Sequence, residues 1–152
     1  MKKNILTFIM AFALIALVNA QDYETGIGLR GGFSSGFTLK HFVSKKSAFE
    51  GIIAMNAGSS RGFDLVGLYE LHNLAFDVEH LNWYYGFGAH IGTFNDNNDS
   101  GTNLGIDGIL GIEYNFSEAP INIGLDWKPV FNVFGNTGLH PDGGALSVRY
   151  IF

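Results

Sequence analysis

Cysteine is absent from the 152 residues, which removes any disulfide framework and any Cys-based zinc or redox centre. Positive charge is scarce: nine Lys and Arg stand against fourteen Asp and Glu, for a formal net charge of −5. An acidic chain repels phosphate, so a basic nucleic-acid binder is excluded. Charge of either sign is sparse, at 15% of residues, while apolar residues make up 47%. A chain this rich in apolar and aromatic side chains is not intrinsically disordered. Long apolar runs are missing beyond the first twenty residues, and so is the three-and-four spacing of an amphipathic helix. The length suits one domain.

The start of the chain is different. Lys2 and Lys3 precede an apolar stretch from Ile5 to Val18, and Val18-Asn19-Ala20 places a small residue before Gln21. A basic start, a short apolar core and a small residue at the break make a secretory signal peptide. Fourteen residues fall short of the ~20 that span a bilayer as a helix. The absence of Cys at the break excludes lipoprotein anchoring. Residues 1–20 are expected to be a cleaved signal peptide and 21–152 the mature domain. Losing Lys2 and Lys3 leaves seven basic residues against fourteen acidic ones, a net of −7.

From Tyr23 onward the dominant period is two. Leu104, Ile106, Gly108, Leu110, Ile112, Tyr114 and Phe116 share one face, and Gly105, Asp107, Ile109, Gly111, Glu113 and Asn115 share the other. Ile121, Ile123, Leu125 and Trp127 oppose Asn122, Gly124 and Asp126 in the same way. This alternation predicts eight strands near 23–33, 36–43, 47–57, 62–72, 81–94, 103–116, 120–131 and 144–152. The breaks carry turn residues, as in Ser44-Lys45-Lys46-Ser47 and Ser117-Glu118-Ala119-Pro120. Two longer breaks fall at 95–103 and 132–143. The break at 73–80 is longer than a short hairpin turn requires.

Three features decide which face is inside. Large aromatics lie on the apolar faces near strand ends, at Phe33, Phe37, Trp83, Tyr114, Phe116, Trp127, Tyr150 and Phe152, as expected of a lipid-facing surface. The opposite faces combine glycine with few charges: Gly26, Gly28, Gly86, Gly88, Gly105, Gly111 and Gly124 accompany Arg30, Lys40, Glu50, Asp64, Glu70, Asp107, Glu113, Asp126, Lys128 and Arg149. A water-exposed face would rarely spend so many positions on glycine, whereas a narrow lumen needs small residues beside long ones. Strands of roughly ten residues suit a tilted crossing of the hydrocarbon core.

A sheet edge in lipid is prohibitive, so the sheet must close. The expected fold is all-β: an eight-stranded, antiparallel, up-and-down transmembrane β-barrel with a closed, side-chain-filled lumen. With both termini periplasmic, breaks 95–103 and 132–143 are extracellular, and the short 44–47 and 117–120 turns are periplasmic.

With its export segment, its alternating strands and the ending Leu146-Ser147-Val148-Arg149-Tyr150-Ile151-Phe152, the chain resembles the small eight-stranded outer-membrane β-barrels of the OmpX and OmpA-transmembrane-domain kind. The resemblance covers essentially all of 21–152 and is architectural. It implies that Val148, Tyr150 and Phe152 form the C-terminal signal read by the barrel-assembly machinery.

Individual motifs add little chemistry. Gly26-Ile27-Gly28-Leu29-Arg30-Gly31 matches a dinucleotide fingerprint, but a hairpin follows it where a helix is needed. Asp96, Asn98, Ser100 and Gly101 fit the start of a calcium loop, with Asp107 in place of the last acid, but the flanks read as strands and Asp107 has lumen parity. Asp126-Trp127-Lys128-Pro129 places an acid and a base on the inward face, with Pro129 stopping the ladder. A lipid-modifying enzyme needs a nucleophile beside a base. No His-x-Ser pair occurs, His41 and His72 fall towards periplasmic ends, and His90 faces the lumen as a structural histidine.

Four basic and six acidic lumen residues imply ion pairs in a plugged barrel, since unpaired buried charge is prohibitive. The expectation is therefore a monomeric, non-enzymatic outer-membrane protein with no cofactor or metal. Its partners are membrane lipid, the assembly machinery during insertion, and an external surface or envelope partner met through 95–103 and 132–143. The alternatives are a narrow solute channel, a lipid A-modifying enzyme and a soluble periplasmic barrel that binds an apolar ligand.

Overall fold

The computed structural model describes residues 23–56, 62–96 and 98–152. The expected signal peptide and the break between the expected strands 47–57 and 62–72 lie outside them. The described residues form strands and turns, with no helix. The strands are β1 (Thr25–Gly32), β2 (Ser34–Phe42), β3 (Ser47–Asn56), β4 (Gly62–Leu74), β5 (Leu81–Asp96), β6 (Asp99–Asn115), β7 (Ile121–Trp127), β8 (Val130–Phe134), β9 (Gly138–His140) and β10 (Gly144–Ile151).

These ten strands make eight staves. β7 and β8 both pair with β6 and form one stave, interrupted at Lys128-Pro129. β9 and β10 form the next, pairing with β8 and β7 on either side of Pro141-Asp142-Gly143. Pro129 has no amide hydrogen to give the ladder, although its carbonyl still accepts from Gly108 N. The sheet closes because β1 pairs with β10, in the register Ile27↔Tyr150 and Leu29↔Val148, and all neighbours are antiparallel. The expected fold is thus the observed one, a closed eight-stave antiparallel barrel.

The staves are staggered. Ladder partners followed from Gly26 run through Lys40, Glu50, Leu68, Gly88, Asp107 and Val130 to His140. On its other side Gly26 faces Ile151, eleven positions along the same stave from His140. That offset is the tilt that closing a small barrel demands.

Several boundaries differ from the sequence expectation. The break at 95–103 is mostly strand, because β5 and β6 stay in register up to Asp96↔Asp99. Polar composition signalled a loop there, but backbone pairing does not require apolar side chains. The expected long loop is the tip of a tight hairpin, and Ser100 and Asp107 lie seven residues apart on one extended strand. At ~3.3 Å per residue they are roughly 23 Å apart and cannot share one calcium ion. The 132–143 break likewise holds the end of β8 and all of β9. Ser34 and Ser35, expected in a turn, pair with Asn56 and Met55.

The long 73–80 break shortens to six residues, since β4 runs to Leu74. Ala75 N donates to Leu81 O and Val78 N to Ala75 O, folding the segment back with Ala75 buried. Phe76, Asp77 and His80 adopt left-handed backbone, at φ 53°, 54° and 67°.

Candidate functional site: the lumen

Alternation turns the ten charged lumen candidates inward, and all ten are buried. Arg149, Tyr84, Lys40, Glu50, Glu70 and Glu113 are among the largest fully buried side chains in the protein. Eight of the ten candidates stand directly opposite a glycine on a neighbouring strand: Arg30 and Gly36, Lys40 and Gly26, Asp64 and Gly92, Glu70 and Gly86, Asp107 and Gly88, Glu113 and Gly124, Asp126 and Gly111, Arg149 and Gly28. At Gly111 a Cβ would fall 2.5 Å from Tyr84 Cζ and 2.8 Å from Asp126 Cβ. The glycines leave the volume that the long side chains fill.

Near the end that holds both termini, Lys40 is caged by carboxylates. Its Nζ lies 2.8 Å from Glu70, 3.2 Å from Glu113 and 3.5 Å from Glu50, and 4.0 Å from the Tyr84 ring centroid. Arg149 donates to Glu50 Oε1 at 2.6 Å and Asn122 Oδ1 at 3.0 Å, and stands 3.9 Å from Glu113. Its Nε donates to Thr38 Oγ1, and the Thr38 hydroxyl donates in turn to Glu50. His72 bridges two acids, with Nε2 3.1 Å from Glu70 Oε2 and Nδ1 3.2 Å from Glu113 Oε1. Its ring stacks on Tyr84 at 4.9 Å and contacts Phe42, which packs on Tyr23.

Further along the lumen, Arg30 grips Asp126 with two hydrogen bonds of 2.5 and 2.6 Å. This fork-to-fork arrangement holds geometry as well as charge. Tyr84 OH reaches the same carboxylate at 3.4 Å, joining the pair to the Lys40 cage. Toward the opposite end, Asp107 takes Lys128 Nζ at 2.8 Å and His90 Nδ1 at 2.9 Å. Asp64 is buried on β4 on the same side.

The structure thus joins Lys40 and Arg149 with Glu50, Glu70 and Glu113, joins Arg30 with Asp126, and joins Lys128 with Asp107. Asp126 and Lys128, both inward, serve different partners. Sequence reasoning missed Tyr84, Thr38, Asn122 and Tyr23, and it set His72 aside at a strand end although His72 shares parity with Glu70. Tyr84 shares parity with Gly86 and Gly88, so the alternation that placed the charges also carried its signal. Val148 and Tyr150 are exposed on the outer wall, and the Phe152 ring stands 6.1 Å from that of Tyr150.

The outside is the reverse of the inside. Leu29 is 61% exposed, Phe37 64% and Phe87 69%, while Lys40, Glu70 and Arg149 are at 0%. The fold is similar to that in the crystal structure of the N-terminal β-barrel domain of Pseudomonas aeruginosa OprF, with a TM-score of 0.65. The match covers 87% of this chain and 100% of that one at 13% sequence identity, a likeness of fold. Neither a known family model nor a curated protein matches the chain.

Proposed function

We propose that this chain is an integral outer-membrane β-barrel that serves as a rigid, non-enzymatic scaffold. The observation that carries the reading is its inverted polarity. Buried positions hold Lys, Arg and Glu at 0% exposure, and the outward wall is apolar from Ile27 and Leu29 to Val148 and Tyr150. Such a wall is unfavourable in water and natural in lipid. Trp83 stacked on Tyr85, and Tyr114 against Phe116, supply amphipathic rings for one interface.

The lumen favours a plug over a conduit, since its charged side chains bond one another across the barrel. In this reading residues 1–20 direct export and are removed. Val148, Tyr150 and Phe152 present the outward C-terminal pattern to the assembly machinery. The β5–β6 tip and the β8–β9 region contact an external surface or envelope partner.

Electrophoresis of unboiled and boiled samples, with membrane fractionation, tests the reading. A heat-dependent mobility shift of protein recovered in the outer membrane is expected. Recovery in the periplasm without a shift would overturn it. Steady single-channel conductance of reconstituted protein would replace the plug by a channel, and an altered lipid A mass in a deletion strain would replace the scaffold by an enzyme.

A further inference from the structure

The outer lumen holds a second polar group beside the Asp107–Lys128 pair. On β4, β5 and β6 the lumen positions Asp64, Gly92 and Asn103 form one row. Val66, His90, Gly105 and Asn132 form the next, which extends onto β8. A glycine therefore separates Asp64 from Asn103, and another separates His90 from Asn132. A Cβ on Gly92 would meet both Asp64 Oδ1 and Asn103 Oδ1, and one on Gly105 would lie 2.5 Å from His90 Cε1. The side chains lean over cleared backbone.

Three of these groups present acceptors with no partner among the described residues. His90 Nε2, Asn103 Oδ1 and Asn132 Oδ1 have no hydrogen-bond partner, and the residues are 3%, 8% and 5% exposed. Two orientations are set by bonds already made. Asn132 Nδ2 donates to Asn136 O at 2.9 Å, which leaves its oxygen for the lumen. In the neutral imidazole the His90 Nδ1–H donates to Asp107 Oδ2 at 2.9 Å and the other nitrogen carries the lone pair. His90 lies over Gly105, midway between Asp107 and Asn103 on the same face of β6. With Nδ1 turned to Asp107, Nε2 faces the Asn103 side.

A carboxylate holding one imidazole nitrogen so that the other is presented bare is the outer-shell arrangement of histidine metal ligands. Acceptors without donors suit a cation and repel an anion. Among the described residues no group of three His, Cys, Asp or Glu side chains is arranged to hold a metal ion. The donors are instead one imidazole nitrogen and two amide oxygens, a mixed set that suits a borderline ion such as Zn2+ better than Mg2+. We propose that His90, Asn103 and Asn132 form a divalent-cation site in the outer lumen. The site joins β5, β6 and β8, so a bound ion ties the outer β5–β6 hairpin to β8.

The test titrates Zn2+ and Mg2+ into the untagged, detergent-folded full chain and reads the thermal unfolding midpoint. Zn2+ is expected to raise the midpoint and Mg2+ to leave it in place. His90→Ala and Asn132→Leu are each expected to weaken the Zn2+ response at least about tenfold. His41→Ala, far from this group, should keep the response. Since His90→Ala can fail to fold, imidazole nitrogen NMR of the wild-type chain gives a second readout: Zn2+ should shift His90 Nε2 and leave it ligated. No response to Zn2+, an undiminished response in His90→Ala, or an unmoved His90 resonance would each overturn the site.

Discussion

The ammonium of Lys40 rests 4.0 Å from the ring centroid of Tyr84, and the imidazole of His72 stacks on the same ring at 4.9 Å. Tyr84 is fully buried and its hydroxyl reaches Asp126. One aromatic side chain thus links the Lys40 cage to the Arg30–Asp126 pair. Replacing Tyr84 by Leu removes the ring from a desolvated cation and should lower unfolding stability by about 2 kcal/mol. Tyr84→Phe keeps the ring and loses only the long hydrogen bond, for less than about 1 kcal/mol. Urea unfolding of the detergent-folded barrel measures both. Equal losses would show that the hydroxyl, and not the ring, matters.

Arg149→Ala and Glu113→Ala should each lower stability by about 3–5 kcal/mol, because each leaves charge buried without compensation. Arg149→Met combined with Glu50→Met should lose less than the two single changes together, since their groups meet at 2.6 Å. Unfolding midpoints of the five variants decide this. Unchanged midpoints for Arg149→Ala and Glu113→Ala would mean that the two residues share no buried network.

Glycine positions should divide by face. Gly111→Val drives a side chain into Tyr84 and Asp126, and should lower stability by about 1–3 kcal/mol or prevent folding. Gly67 points outward with nothing within 4 Å of an added Cβ, and Gly67→Val should fold as well as wild type. The fraction of protein that keeps its compact mobility in unboiled gels reports the difference. Equal yields would mean that the lumen is looser than its packing indicates.

Outward positions test the surrounding medium. Phe87→Arg and Leu39→Arg should each lower folding stability in lipid vesicles by about 2–4 kcal/mol where the residue lies near the bilayer midplane, and by less toward the interfaces. A water-facing wall would accept the same changes within about 0.5 kcal/mol. Folding titrations in vesicles separate the two.

Period-two alternation was enough to place Arg30, Lys40, Glu50 and Arg149 on the inward face, since one backbone rule sets side-chain direction along a strand. It could not say which inward groups meet. Arg30 finds Asp126 and Lys128 finds Asp107 because of the stagger between staves, which depends on closure and not on any local pattern. Strand ends were misread where composition and pairing disagree: Asn95, Asp99 and Ser100 look like a loop and pair as a ladder. His72 was overlooked because its place near a strand end outweighed its parity with Glu70. His90, Asn103 and Asn132 were unreadable as a group, since they come from three strands and meet only over two glycines.

All neighbouring staves but one pair are joined by a local hairpin. The exception is the β1–β10 seam, and the side chains that bridge to it come from far along the chain: Arg149 reaches Glu50 across 99 residues and Thr38 across 111. Local hairpins form early, and contacts of such separation form last. Until β10 arrives, Glu50 must wait for Arg149 while the sheet still carries two open edges. Shutting the cylinder and neutralising that carboxylate are then a single late event. A chain cut short before Arg149 would lack both.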